Sequence, residues 1–168
     1  MKYLKFFLMF GVIFVVLSSY SLRATELSEG IYPGELFPEI HELKNISGEN
    51  VRLSDLRGEK VFVNFWAAYD ADSHMGNVLF SRKIEKEAYP VKMISLSLDK
   101  SKSVFEKTVI LDKIDVSLQL WVNGSMQEEL ANRHRLQKGF HNYLLDENGK
   151  IIAKNLTLEE LGQLLEVN

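Results

Sequence analysis

Val61-Phe62-Val63-Asn64-Phe65-Trp66-Ala67 is followed by Ala68-Tyr69 and then by Asp70-Ala71-Asp72-Ser73. The first seven residues form a nearly continuous apolar run rich in β-branched and aromatic side chains. Such a run reads as a strand buried on both faces, as in a sheet covered by helices. The small polar residues Asp70 to Ser73 suit a helix start. A helix is expected from about Ser73 to Ala88. Met75, Val78 or Leu79, and Arg82 or Ile84 fall at helical spacing within it, and Pro90 lies just past its end.

The same alternation continues downstream. Val91 to Leu98 reads as a second buried strand, and Ser101 or Ser103 as the cap of a helix containing Val104, Phe105, Val109 and Ile110. Val116 to Val122 is a short strand, and Met126 to Arg133 a helix. Asn142 to Asp146 and Ile151 to Ala153 are strands joined by the Asn148-Gly149 turn. Thr157, with Glu160 three residues on, forms a capping box for a last helix, Leu158 to Leu165. Upstream, residues 25 to 50 read as loop, punctuated by Tyr32-Pro33-Gly34 and Phe37-Pro38. The expected fold class is α/β, a central mixed β-sheet flanked by helices.

Composition narrows the chemistry. The 168 residues contain no cysteine, which excludes a disulfide framework, a thiolate metal site, a cysteine nucleophile and a dithiol redox couple. There is no G-x-S-x-G elbow, phosphate loop or dinucleotide fingerprint. The mild acidic balance gives no reason to expect nucleic acid. Residues 1–24 resemble a secretory signal peptide: basic Lys2 and Lys5, then an uncharged run of 12 residues from Phe6 to Leu17, then small and polar residues. Twelve residues are short for a membrane span, which needs about 20. Cleavage is expected after Ala24, with Ser21 as the other position, and an uncleaved anchor as the alternative. It would remove three of the 20 basic residues (Lys2, Lys5, Arg23) and none of the 23 acidic ones, so residues 25–168 form one domain of net charge −6.

Four segments together resemble the exported thioredoxin-like thiol–disulfide oxidoreductases of the TlpA and ResA type. Gly34-Glu35-Leu36-Phe37-Pro38-Glu39-Ile40 resembles that family's "G-x-x-A-P-x-F". Leu53-Ser54-Asp55-Leu56-Arg57-Gly58-Glu59-Lys60 resembles "L-S-D-L-R-G-K". Val61 to Tyr69 resembles "V-L-V-N-F-W-A-T-W", and Tyr143 to Ile151 resembles "F-L-I-D-x-x-G-K-I". In order and register they cover roughly residues 34 to 165. The resemblance implies a thioredoxin-like fold with an N-terminal extension, exported to a bacterial periplasm or secreted.

The departures are specific. Where the family places C-x-x-C, this chain has Asp70-Ala71-Asp72-Ser73. Where it places "Y-x-V-x-x-x-P" with a cis-proline, this chain has His134-Arg135-Leu136-Gln137-Lys138-Gly139-Phe140. The peptide before Phe140 is therefore expected to be trans. Both cysteines and the proline are gone.

Two readings of the altered site follow. In the first, Asp70, Asp72 or Ser73 caps the helix, and a redox-inactive groove binds an exported protein or peptide through Tyr69, Asp72, Phe140 and His141. Trp66 and Tyr143 lie on central strands and are expected in the core. In the second, Asp70, Asp72, His74 and His141 converge as a metal site or an acid–base pair in a non-redox enzyme. No cofactor is implied, and a membrane association only if the leader is uncleaved. The mass of the exported protein tests the leader: loss of residues 1–24 is expected, and an intact N-terminus marks an anchor.

Overall fold

The computed structural model describes residues 27–41 and 43–166, so the leader lies outside the described residues. The strands are β1 (Leu43–Asn45), β2 (Asn50–Val51), β3 (Lys60–Trp66), β4 (Val91–Ser97), β5 (Gln119–Trp121), β6 (Asn142–Leu145) and β7 (Ile151–Lys154). The helices are α1 (Ala71–Glu87), α2 (Lys102–Asp112), α3 (Gly124–Arg133) and α4 (Leu158–Glu166). One sheet runs β2-β1-β5-β4-β3-β6-β7. β3, β4 and β5 are parallel, and the remaining pairings are antiparallel. Among the described residues no helix is long and apolar enough to cross a membrane.

The expected order of buried strands and helices is present, and several boundaries and two strands differ. β1 and β2 fall where the sequence reads as loop. Each is only two or three residues long, and β1 is held by the distant β5, with Lys44 opposite Trp121 and Asn45 opposite Leu120. β5 starts at Gln119 rather than Val116, after Asp115 folds back to accept the backbone N–H of Ser117 at 2.9 Å. α1 begins at Ala71, because Asp70 rather than Ser73 is its cap. α3 begins at Gly124, because the Asn123 side chain accepts from the Met126 N–H at 3.2 Å. The capping box forms: Glu160 accepts from the Thr157 N–H at 2.8 Å, and Thr157 Oγ1 accepts from the Glu160 N–H at 3.2 Å. The extension lies along the outer edge of β7, where Gly34 N–H donates to the Ile151 carbonyl and Ile151 N–H to the Glu35 carbonyl. That contact covers an edge that would otherwise be open to pairing.

Both faces of β3 are buried, as its unbroken apolar run predicts. Val61, Val63 and Phe65 join one large cluster with Phe37, Ile40, Leu96, Leu130 and Tyr143. Phe62 packs with Phe80, Leu144, Leu161 and Leu165. Trp66 packs with Phe105, Val109 and Ile114. The residue between Phe62 and Trp66 on their shared face is Asn64. It stands in register with Ser95 of β4 and Asn142 of β6, and Ser95 with Gln119 of β5. A polar row thus crosses four strands and separates two apolar clusters.

Asn77 of α1 is fully buried and closes this row. Asn64 Nδ2 donates to Asn77 Oδ1 at 3.2 Å, and Asn77 Nδ2 donates to Gln119 Oε1 at 3.1 Å. This corrects part of the expected helix face, although Ile84 does pack against the Phe62 cluster. Met75 and Leu79 are exposed (58% and 41%), while Asn77 and Phe80 face the sheet.

His134 ends α3 inside an aromatic box. Its ring stacks on Phe37 at 5.1 Å and lies 4.8 Å from Phe65. Nδ1 is 3.4 Å from the Tyr143 hydroxyl, and Nε2 has no partner among the described residues. Burial pushes its pKa down to about 3, helped by the charges of Arg133, Lys154 and His141. In the unfolded chain the group titrates near 6.5. Below that value the unfolded chain binds the proton and the native one does not, so stability falls as pH drops from about 6.5 toward 3.

Two measurements check this core. Asn77→Ala strips both neighbouring amides of a partner and is expected to cost about 2–4 kcal/mol in urea unfolding, whereas Glu85→Ala on the exposed face stays within about 0.5 kcal/mol. Equal effects would show that the row contributes nothing. Lowering the pH from 7 to 5 is expected to cost the wild type about 2 kcal/mol more than His134→Phe. Parallel losses would place the acid sensitivity elsewhere.

Candidate functional site

The site sits where β3 ends and α1 begins. Asp70 caps α1: its Oδ1 accepts the Ser73 N–H at 2.9 Å. Ser73 Oγ accepts from the Ala67 N–H and donates to the Asp70 carbonyl, both at 3.3 Å. The first helical turn is therefore tied back onto the end of β3 by the two residues at the former thiol positions. Asp72 is the second carboxylate in this turn and is exposed. An anionic group here is favoured by the helix dipole and the free amides of the first turn.

A buried carboxylate that sequence reasoning missed holds the loop from beneath. Asp99 is 2% exposed and accepts the Ala68 N–H on both oxygens, at 3.0 and 3.1 Å. Ser97 Oγ donates to it at 2.8 Å. Its carbonyl receives Trp121 Nε1 and Gln127 Nε2, each at 2.8 Å. Its position directly after the β4 run, at Leu98-Asp99-Lys100, was the available signal. Asp99 fixes the turn that presents Tyr69, which is 70% exposed. Partial burial, then the Asp99 and Asp70 charges, raise the Tyr69 phenol.

The opposite wall is the loop Gly139-Phe140-His141. Gly139 adopts φ +130, a conformation that favours glycine, and makes the bend. The described peptide bonds are all trans, including the one before Phe140. The His141 carbonyl accepts the Phe65 N–H at 3.0 Å, which sews the loop to β3. Phe140 lies across the mouth from Tyr69, with ring centroids 6.3 Å apart. Its own N–H and carbonyl are bonded to no described residue.

Between the walls is a groove of about 360 Å³ lined by Asn64, Asp70, Asp72, Ser73, Phe140 and His141, among others. The structure thus brings Asp70, Asp72, Phe140 and His141 to one groove and sets Tyr69 at its mouth. It does not bring His74 there. His74 stacks on Trp66 at 5.5 Å, and its Nε2 bonds Asp112 Oδ2 at 2.8 Å, joining α1 to α2. Consecutive helical residues are turned about 100° apart, so His74 cannot share the direction of Ser73. His141 is also engaged: Nδ1 is 2.8 Å from Asn155 Oδ1. Burial lowers the His141 pKa against that bond, with Lys154 adding to the effect. The expected convergence of Asp70, Asp72, His74 and His141 does not form. Among the described residues no group of three or more metal-ligating side chains is assembled. Trp66 and Tyr143 are fully buried in the core.

What the arrangement offers is a capped helix start, two carboxylates, two aromatic rings and an unpaired stretch of main chain. Ser73 Oγ has no described base bonded to it.

No family profile matches the chain. It is similar to "Thioredoxin-like protein YneN" of Bacillus subtilis (strain 168), at 26% identity over 145 residues, covering 83% of this chain and 82% of that protein. A thioredoxin-like protein from Parabacteroides distasonis superimposes with a TM-score of 0.67 at 34% identity, over 84% of this chain and 99% of that one. The "C-terminal domain of putative thiol-disulfide oxidoreductase" from Bacteroides thetaiotaomicron gives a TM-score of 0.69 at 30% identity, over 82% of this chain and 95% of that one. Fold, register and similarity together place this chain in the thioredoxin-like thiol–disulfide oxidoreductase family, as a member without a cysteine.

Proposed function

We propose that the protein is a redox-inactive, thioredoxin-like binding protein that holds an extended segment of an exported protein or peptide in the groove beside α1. With no cysteine in the chain, its own residues carry no thiol–disulfide exchange. The observation that supports binding is the Phe140 main chain. Its N–H and carbonyl are unpaired toward described residues and lie beside the groove, where an extended segment would take them in strand-like bonds. Tyr69 and Phe140 supply aromatic contact area at the mouth. The leader-like residues 1–24 support an exported setting, periplasmic or secreted.

Losing the thiols leaves this geometry in place because Asp70 and Ser73 still tie the helix start to β3. The enzyme alternative finds less support, since His74 and Asp112 pair away from the groove.

Capture of exported proteins by the immobilised protein tests the reading. Phe140→Ala is expected to weaken capture about tenfold while leaving stability within about 1 kcal/mol. Unchanged capture removes the Phe140 ring, though not its main chain, from the site. A disulfide-exchange assay on the same preparation is expected to read zero.

A further inference from the structure

The groove beside α1 carries charge of one sign. Among the described residues Asp70 and Asp72 line it, and no lysine or arginine does. Neither carboxylate stands in an ion pair with a described residue. Asp70 Oδ1 accepts the Ser73 N–H, while Oδ2 accepts from no described residue. Asp72 is exposed, and neither of its oxygens accepts from a described residue. The start of α1 contributes about half a positive charge, which two carboxylates more than offset. His141, the other titratable group in the lining, is held toward its neutral form by burial. The negative field reaches the mouth, where the Asp99 and Asp70 charges add to burial in raising the Tyr69 phenol.

The inner end of the groove adds a buried acceptor. Asn64 lines the groove and is 5% exposed. Its Nδ2 is spent on Asn77 Oδ1 at 3.2 Å, which turns its Oδ1 away from the polar row. That oxygen accepts from no described residue. Among the described residues the polar side-chain atoms sealed from solvent without a partner are Trp66 Nε1, Ser95 Oγ and His134 Nε2, so Asn64 Oδ1 keeps its access to the groove. Asn142, in register beside it, is closed instead. Its amide exchanges two bonds with the Leu156 main chain, at 2.9 and 2.7 Å. The groove thus presents acceptor oxygens and negative charge. The Tyr69 and Phe140 rings at its mouth offer faces that also favour a cation.

We propose that the groove takes a lysine or arginine side chain of the bound segment, with the cation held by Asp70 and Asp72 and its N–H groups donating to Asn64 Oδ1, so that a basic segment is the preferred partner. The segment itself rests on the binding reading above. Its charge rests on the two carboxylates and Asn64. A free amine shares the cation but not the main-chain bonds to Phe140.

The test titrates the purified protein with short blocked peptides alternating glycine with lysine, glutamine or glutamate, and with butylamine. The lysine peptide is expected to bind about tenfold more tightly than the glutamate peptide, with the glutamine peptide between them. Added salt is expected to narrow that gap. Asp72→Asn is expected to weaken the lysine peptide about fivefold. Asp70→Asn combined with Asp72→Asn is expected to erase the difference between lysine and glutamine. Asparagine keeps the helix cap, and melting curves confirm that both variants fold. A peptide with 2,4-diaminobutyrate in place of lysine carries its ammonium on a shorter stem and is expected to bind more weakly; equal binding removes Asn64 from the site. Equal binding of the lysine and glutamate peptides, or a lysine preference that survives the double variant, overturns the proposal. Butylamine binding as tightly as the lysine peptide overturns the assignment to a segment. Three peptides that bind alike remove the charge preference and leave the binding reading standing. Binding of none overturns the proposal, and the capture assay then decides the binding reading by itself.

Discussion

The buried amide of Asn77 is the constraint on which the site depends. Apolar packing can hold a helix on a sheet but leaves it free to slide or turn by small amounts, because the contact is non-directional. A chain of hydrogen bonds from Asn64 through Asn77 to Gln119 is directional, and it fixes both the rotation of α1 and its position along the strands. The row it belongs to lies between the cluster around Phe62 and Phe80 and the cluster around Trp66 and Phe105. Displacing α1 by one residue would bury an unpaired amide in either cluster, at a cost of about 1–3 kcal/mol. With α1 so fixed, its first turn stands opposite the Phe140 loop, and the groove exists.

The same physics explains how the fold survives without its inherited chemistry. A helix start leaves amide donors unsatisfied and favours negative charge. That environment stabilises a thiolate where cysteine is present, and it stabilises a carboxylate equally well. Asp70 therefore takes the former thiol position as a cap rather than as damage, and Ser73 joins it to β3. Asp99, buried below, holds the turn between them through Ala68. Gly139 makes the bend of the facing loop, with Phe140 where the family has proline. The walls are kept while the reactive atoms are gone.

Much of this was legible in the sequence, for identifiable reasons. β3 and β4 are long, buried on both faces and continuous in pattern, so local composition specifies them. The Thr157–Glu160 box and the Asn148-Gly149 turn are complete within four residues and also read correctly. β1 and β2 did not, because strands this short carry no period and exist through β5. The face of α1 was misread for a related reason. Met75 and Leu79 look like core by hydrophobicity, but a polar row across the sheet calls for Asn77 beneath the helix, and that row is visible only in register. At the site, Asp70, Asp72, Phe140 and His141 were placed by correspondence with a known pattern. His74 was misplaced because adjacency in sequence was read as adjacency in space.

The central claim is that the groove between Asp70 and Phe140 outlived the thiols and still receives a partner. Cross-linking in the native cell reads this directly, with a photoreactive phenylalanine analogue at position 140 and the same analogue at position 116. Val116 is exposed beside the start of β5, at the opposite end of the parallel strands from the groove. The account predicts a discrete adduct from position 140 and none from position 116. Equal adducts from both positions, or none from position 140, would contradict it.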